Sequence, residues 1–542
     1  MSQQRYRTAV VAVVAAFVIG LPSSIFGQPS QSGAGQLAAQ PGGSTLRLSI
    51  EDAVQMALEN NLSLQVQRIN PQLQDLNIEQ VKAAWIPNLT FDLSQSNRTT
   101  PISSFFAGAE DKLTRDSFTT NVGAAQQLPW YGGSYRVTWD SSRTESNSVY
   151  DSPNPSLGSN VNLSFSQPFL RNFHIDSPRQ QLLVSKKNRE VSDIDLQQTM
   201  LSTIRSVKYA YWDVKSAVAS LRVARQSLDL AQEQLRNNRS RVEIGTMAPI
   251  DVVEAEAEVA RREEAVIVAE AAVRRADDRL RTLIVDPKAP DYWAVGFDLT
   301  DEPTFAPTAI DVDRAVRAAL DKRTDLRQYR KTMEITDVNI QYYQNQTLPD
   351  VTANLSYGVT GQGGTKKNFG GGFPPQILGE ISEGFGTVMS RLFSANFPSW
   401  TFAIQVSYPI GRSGAEANLA RTRLQYEQAQ IQLRDAELSV VTQVRDVARN
   451  VETNQKRLEA TQAARRLAER RLEAEQKKFA AGMSTNYVVF QAQRDLANAQ
   501  YSELVALLDY NRSLIDFETV QEAPTAGGST ISLASAVSAA SR

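Results

Sequence analysis

The amino-acid sequence predicts an α+β membrane protein in which a β-barrel continues into long α-helical coiled coils, laid out as two tandem structural repeats. Three observations carry that reading. The chain opens with the pattern of an export signal, and its strand-like segments alternate apolar with small polar residues. Two stretches, Pro178–Glu243 and Ser413–Ala481, run without an internal helix breaker, Gly414 at the very start excepted. At 1.5 Å per residue each reaches about 100 Å as one helix.

Composition narrows the function classes. Among 542 residues, 57 basic side chains face 59 acidic ones, a formal charge of −2. That balance excludes a dedicated nucleic-acid binder, which carries a basic patch and a high pI. Without cysteine there is no disulfide, thiol nucleophile or iron–sulfur site, and a lone histidine, His174, makes no imidazole metal cluster. The expectation is a protein that is not an enzyme and holds no metal or cofactor.

The elements follow in order. Arg5 and Arg7 precede the apolar run Thr8–Leu21, then small residues to Gly27, the order of a signal peptide over 1–27. A flexible segment is expected over 28–47, and no later run is apolar and long enough for a membrane-spanning helix, so the export of a membrane protein implies a barrel. Repeat 1 spans 48–284 and repeat 2 spans 310–520, joined by a proline-rich connector over 285–309; a disordered tail follows over 521–542. The repeat shows in matched residues: Ala53, Val54, Ala57 and Leu58 align with Ala315, Val316, Ala319 and Leu320, and Pro87-Asn88-Leu89 with Pro349-Asp350-Val351.

Within each repeat a short amphipathic helix and a second helix lead to strands, about 88–168 in the first and about 350–409 in the second. Leu89, Phe91 and Leu93 alternate with Thr90, Asp92 and Ser94; Val161, Leu163 and Phe165 with Asn162, Ser164 and Ser166. Val351, Ala353, Leu355 and Tyr357 do the same, as do Phe402, Ile404, Val406 and Tyr408. Apolar on one side and small polar on the other suits a lipid-facing, water-lined strand. Trp85, Trp130, Tyr131, Phe169 and Phe173 fall at the inner strand ends, Phe397 and Trp400 at the outer, as interfacial aromatic belts do. The glycine-rich stretch Gly358–Lys367 lacks the lysine-hydroxyl order of a phosphate loop and is expected to be an external loop reaching Pro375.

Helical hairpins close each repeat, over 178–284 and 413–520. Val207, Val214, Leu221, Leu228 and Leu235 lie seven apart; so do Leu424, Ile431 and Leu438, and in a shifted phase Val444, Val451 and Leu458. Such heptads indicate coiled-coil seams. Gly245 and Gly482 turn the long helices back as shorter ones. Hairpins this thin bury no core alone and need neighbours.

The hairpin tip Gly245-Thr-Met-Ala-Pro-Ile-Asp251-Val252, with Ala255 following, resembles the TolC family of outer-membrane efflux and secretion channels. So do the strand-to-helix junctions Ser166–Phe169 and Ser407–Gly411 and the opening helix Leu48–Asn61, and the resemblance covers roughly 45–520. It implies a homotrimer in the cell outer membrane, reaching into the periplasm, with one trimeric transmembrane β-barrel continuous with a periplasmic α-helical barrel. Such a duct passively conducts substrates handed on by a periplasmic adaptor (membrane fusion) protein and an inner-membrane transporter of RND, ABC or MFS type. Outer-membrane lipid surrounds the barrel, and no nucleic acid is involved. A soluble periplasmic coiled-coil adaptor is the alternative, but it leaves the matched strand sets unexplained.

Four matched strands per chain would give about 12 in a trimer. The first repeat is longer, however, between Pro87 and Pro168 than the second between Pro349 and Pro409. The excess holds a strand through Tyr135, Val137 and Trp139, a weaker one near Phe118–Gln126, and the turn Pro129–Gly133. Six strands per chain and about 18 in the barrel follow, unless the hairpin folds over the outer rim.

Threefold symmetry would multiply one tip residue into a ring. Asp251 would then present three carboxylates at a constriction, with Glu243 and Glu254 as weaker members; as an ordinary helix N-terminal acid it would merely favour the dipole. At the second tip the family's usual aspartates are replaced by Val488 and Gln491, its arginine by Ser484 and its tyrosine by Phe479. Closure there is expected to rest on apolar contacts of Phe479, Met483 and Tyr487. The resemblance places adaptor docking at Gly245, Thr246, Met247 and Ala248 on one tip and Gly482, Met483 and Ser484 on the other.

Overall fold

The computed structural model describes residues 45–102, 112–290, 292–302, 305, 309–371, 376–411 and 413–525. The signal peptide, most of the segment expected to be flexible and the tail beyond 525 lie outside the described residues.

Strand β1 (Thr45–Leu48) leads into α1 (Ile50–Asn60), which Ser49 and Asp52 start with a reciprocal capping box. Asn61 ends that helix and caps α2 (Leu62–Lys82), its side chain accepting from Leu64 N–H at 3.2 Å. Four long strands follow: β2 (Asn88–Pro101), β3 (Lys112–Gln127), β4 (Ser134–Ser146) and β5 (Ser156–Pro168). Next come α3 (Ser177–Glu243), α4 (Pro249–Ile284) and β6 (Gly296–Leu299). The second half holds α5 (Val312–Lys322), α6 (Thr324–Gln346), β7 (Asp350–Phe369), β8 (Ile377–Glu383) and α7 (Phe385–Phe393). It ends with β9 (Pro398–Ser407), α8 (Gly414–Ala480) and α9 (Asn486–Thr519).

One antiparallel sheet runs β2-β3-β4-β5-β7, and β9 and β8 share the far edge of β7, β9 against Asp350–Val359 and β8 against Gly364–Phe369. The register sorts the two faces. Leu89, Ala124, Val137, Leu163, Tyr357 and Trp400 form one continuous row, and the row beside it is Thr90, Gly123, Thr138, Asn162, Gly358 and Ser399. Period-two alternation in each strand thus becomes one apolar and one small-polar face across the whole sheet. The row that starts at Asn88, the first residue of β2, meets β5 at Ser164 and β9 at Thr401, well above their lower ends at Pro168 and Ser407. That stagger is the shear a tilted barrel wall requires. Among the described residues the sheet stays open, with β2 at one margin and β8 and β9 at the other.

The β3–β4 hairpin is an integral part of this wall, paired on both sides, rather than an excursion over its rim. Its turn is fastened to the junction where β5 becomes α3. Tyr131 stacks on Phe173 with ring centroids 4.8 Å apart, and Gln167 donates to the Tyr131 carbonyl at 2.8 Å. Gly132 has φ +68°, and a Cβ there would meet the Asn172 carbonyl at 2.4 Å, so both conformation and space demand glycine. Arg179 braces the same junction, donating to the carbonyls of Phe173 and Asn172 and pairing with the buried helix cap Asp176.

The core sits midway along the helices. Ala53 and Ala57 of α1 pack on Val207, Ala210, Tyr211 and Val214 of α3 and on Leu280 and Ile284 of α4. Ala315 and Ala319 of α5 pack with Leu326, Val440, Val444 and Val520 in the second half. Alanines at the contact let the short helices lie close to the long ones.

Several expectations are corrected. The segment expected to be a glycine-rich loop is strand up to Phe369, because β7 pairs with β5 through Gly364 and with β8 beyond it. Residues 45–48 are β1, paired in parallel with β6, so the end of the flexible segment and the middle of the connector are both ordered. At the start of the tail, Ala523 is buried and the Glu522 carbonyl accepts from Thr324 N–H at 3.0 Å. Of the heptad residues, Val207, Val214, Val444, Val451 and Leu458 are buried within the chain, whereas Leu424, Ile431 and Leu438 lie exposed on it.

Candidate functional site: the hairpin tips

Both long helices end in the same way. Gly245 has φ +74° and Gly482 φ +75°, the left-handed conformation that L side chains resist. Gly245 N–H donates to the Val242 carbonyl at 3.0 Å and Thr246 N–H to Arg241 at 2.9 Å. Gly482 N–H donates to Phe479 at 3.0 Å and Met483 N–H to Lys478 at 2.8 Å. This is a Schellman closure twice over, satisfying carbonyls that the helix end would leave open. Pro249 then opens α4 at its first position, and Thr485 precedes α9.

Asp251 lies in the first turn of α4, half-buried, its N–H donating to the Ala248 carbonyl. Glu243, Glu254, Thr246, Ala248, Met483 and Tyr487 are exposed, and Met247, Ser484 and Val488 are half-buried. Met483 and Tyr487 point into solvent in the single chain, and Phe479 lies under the Arg241 guanidinium, 4.5 Å from ring centroid to carbon. That cation–π contact joins α3 to α8. Ser484 donates to Glu475 at 2.9 Å, and the Lys478 ammonium together with that hydroxyl holds the Glu475 carboxyl below the usual carboxylate range.

A buried amide cluster above the tips had no sequence signature. Gln234 donates to Asn238 at 3.0 Å and to Asn486 at 2.9 Å, and Asn238 donates to the Asp251 carbonyl at 3.3 Å. All three amide side chains are buried, and together they tie α3 to α4 and α9. Polar residues on a helix read as solvent-facing, so only the three-dimensional contact finds them. Leu472, Val489 and Ala492 make a small apolar contact between α8 and α9.

A sheet with opposed apolar and polar faces, joined covalently to two such hairpins, defines a class of channel-forming outer-membrane proteins. The family model described as outer membrane efflux protein matches residues 119–284 and 315–520, and the chain belongs to that family. It is an outer-membrane protein that extends into the periplasm. Outer membrane protein TolC of Escherichia coli (strain K12) is 22% identical over 349 residues, covering 61% of this chain and 65% of that protein. A membrane protein from Pseudomonas aeruginosa superposes with TM-score 0.61 at 15% identity, over 87% of this chain and 93% of the other. The Campylobacter jejuni CmeC outer membrane channel gives TM-score 0.61 at 14% identity, over 87% and 85%. A soluble adaptor is not favoured by these matches.

Proposed function

We propose that this chain is one protomer of a homotrimeric exit duct. The wall of a single outer-membrane barrel is built from three copies, and the hairpins form the helical tunnel beneath it. The single observation that carries the reading is the sheet itself: apolar on one face, small and polar on the other, unpaired at both edges. In hydrocarbon those edges must be satisfied, and closure with further copies does so. The exposed heptad residues Leu424, Ile431 and Leu438 on α8 support the same assembly, since an apolar stripe on a long helix calls for a neighbouring helix.

The sheet is six strands wide once β8 and β9 are counted as sharing one position, so three copies supply about 18 strands. With a strand spacing of about 4.8 Å and a tilt of about 40°, the backbone radius is about 18 Å, against about 12 Å for a 12-stranded wall. The tips, not the barrel, then set the narrowest point. There Asp251 forms a ring of three carboxylates with Glu243 and Glu254 nearby, and closure involves Phe479, Met483, Tyr487 and Val488. The outermost tip residues, Gly245–Ala248 and Gly482–Ser484, dock a periplasmic adaptor, and an inner-membrane transporter of RND, ABC or MFS type supplies the energy. Conduction through the duct is passive, without covalent chemistry or a cofactor. The two halves, which share the order of helix pair, strands and hairpin, are read as tandem repeats.

Native mass spectrometry of the mature protein from outer-membrane fractions tests the assembly, and a reconstruction of the same particles counts the strands. A trimer with about 18 strands is expected. A monomer soluble without detergent would end the reading, and a trimer with about 12 would place the β3–β4 hairpin elsewhere in the membrane-embedded state.

A further inference from the structure

Helix α7 and its mounting lie outside anything the duct requires. The helix sits between β8 and β9 and rests on β7 and β5. Val388 and Leu392 are its buried side chains, and they fill a shallow cradle made by glycines. A Cβ on Gly361 would meet the Val388 carbonyl at 2.2 Å, and one on Gly363 would meet the Val388 side chain at 2.7 Å. Arg391 fixes the helix further, donating to both Glu383 carboxylate oxygens at 2.6 Å and to the Gln362 carbonyl at 2.6 Å.

The cradle shows which side of the wall carries the helix. Gly361 and Gly363 share strand parity with Val351, Ala353, Leu355, Tyr357 and Val359, so α7 lies on the apolar face, not on the polar one. Val351–Val359 covers about 27 Å along a strand, or about 21 Å of membrane depth at a tilt of about 40°. Outer-membrane barrels present an apolar band of about 25 Å. The glycine cradle therefore begins where the hydrocarbon band ends. Phe385 and Phe393 flank the seated side chains and remain 42% and 80% exposed, with Phe397 just beyond at 57%. Helix α7 rests on β5 and β7, strands that are each paired on both sides, and touches the margin formed by β8 and β9 through Arg391 and Glu383.

We propose that α7 is an interfacial lipid anchor, lying in the headgroup–acyl boundary of the outer leaflet with Phe385 and Phe393 inserted into lipid. The inference rests on the outer-membrane barrel reading. A helix with a polar side, bulky apolar side chains and a position at the boundary binds a lipid surface rather than spanning it. The occupant is lipid because the surface continues the apolar band, and because the helix is seated over β5 and β7, whose own edges are already paired.

The sequence contains no cysteine, so a single introduced one reports one site. In the full-length protein in phospholipid vesicles, nitroxides at Phe393→Cys and Phe385→Cys would be compared with Leu163→Cys on the apolar face and Asn162→Cys on the polar face. Power saturation with oxygen, which partitions into lipid, and with a water-soluble nickel chelate reads the environment. At Phe393 and Phe385 oxygen accessibility is expected to exceed nickel accessibility severalfold, as at Leu163, with the reverse at Asn162. Adding Gly363→Leu, which removes the seat, should turn the Phe393 label towards the nickel-accessible state. Labels at both phenylalanines in water while Leu163 is in lipid would overturn the anchor and leave the barrel standing. Leu163 in water would overturn both.

Discussion

At the scale of residues, the tips are where the proposed duct would be controlled. Val488 lies half-buried at the start of α9. In the proposed trimer, Val488→Asp should add three carboxylates to the tip and strengthen block by divalent cations in single-channel recordings; unchanged block would place the side chain outside the pore. Glu475 gives a pH dependence. Its folded-state value lies below the ordinary 4.5, so its contribution to the second tip is present above the unfolded value and lost as pH falls through the folded one. A spin label at Met483→Cys should therefore gain mobility in the acid range below the usual carboxylate value, and Glu475→Gln should remove the transition. These side chains show unevenly in sequence. Gly245 and Gly482 are legible as the breaks that end the long helices and Asp251 through the resemblance of the tip motif, whereas the Arg241–Phe479 stack and the buried Gln234, Asn238 and Asn486 depend on contacts between helices far apart in the chain.

At the scale of elements, legibility followed length and periodicity. Helices of 67 residues without proline in their interiors, and strands with sustained alternation, declare themselves. Elements β8 and α7 did not, because the glycines that seat α7 also carry the signature of a loop, and β1 and β6 are too short to show a period. The tip turns can be tested at this scale. Nothing lies within 4 Å of a Cβ placed on Gly482, so Gly482→Ala meets no clash and costs only its positive φ. That is about 1–2 kcal/mol. Hydrogen exchange should quicken in the last turn of α8 while the mid-helix core stays unchanged; equal protection would mean the turn relaxes to another geometry.

For the whole molecule, the number of copies was not readable from any one pattern. Leu424, Ile431 and Leu438, exposed among the described residues, are consistent with neighbouring copies but do not count them. The sheet's open margins carry a consequence for biogenesis. β2 offers one free edge over 14 residues and β9 another over 10, and every unpaired N–H and C=O facing lipid would cost several kcal/mol. A solitary subunit therefore has no affordable route into the bilayer. In the proposed assembly subunits would have to meet in water or on an insertion machine before they enter lipid, which makes membership of a complete ring the quality check on folding.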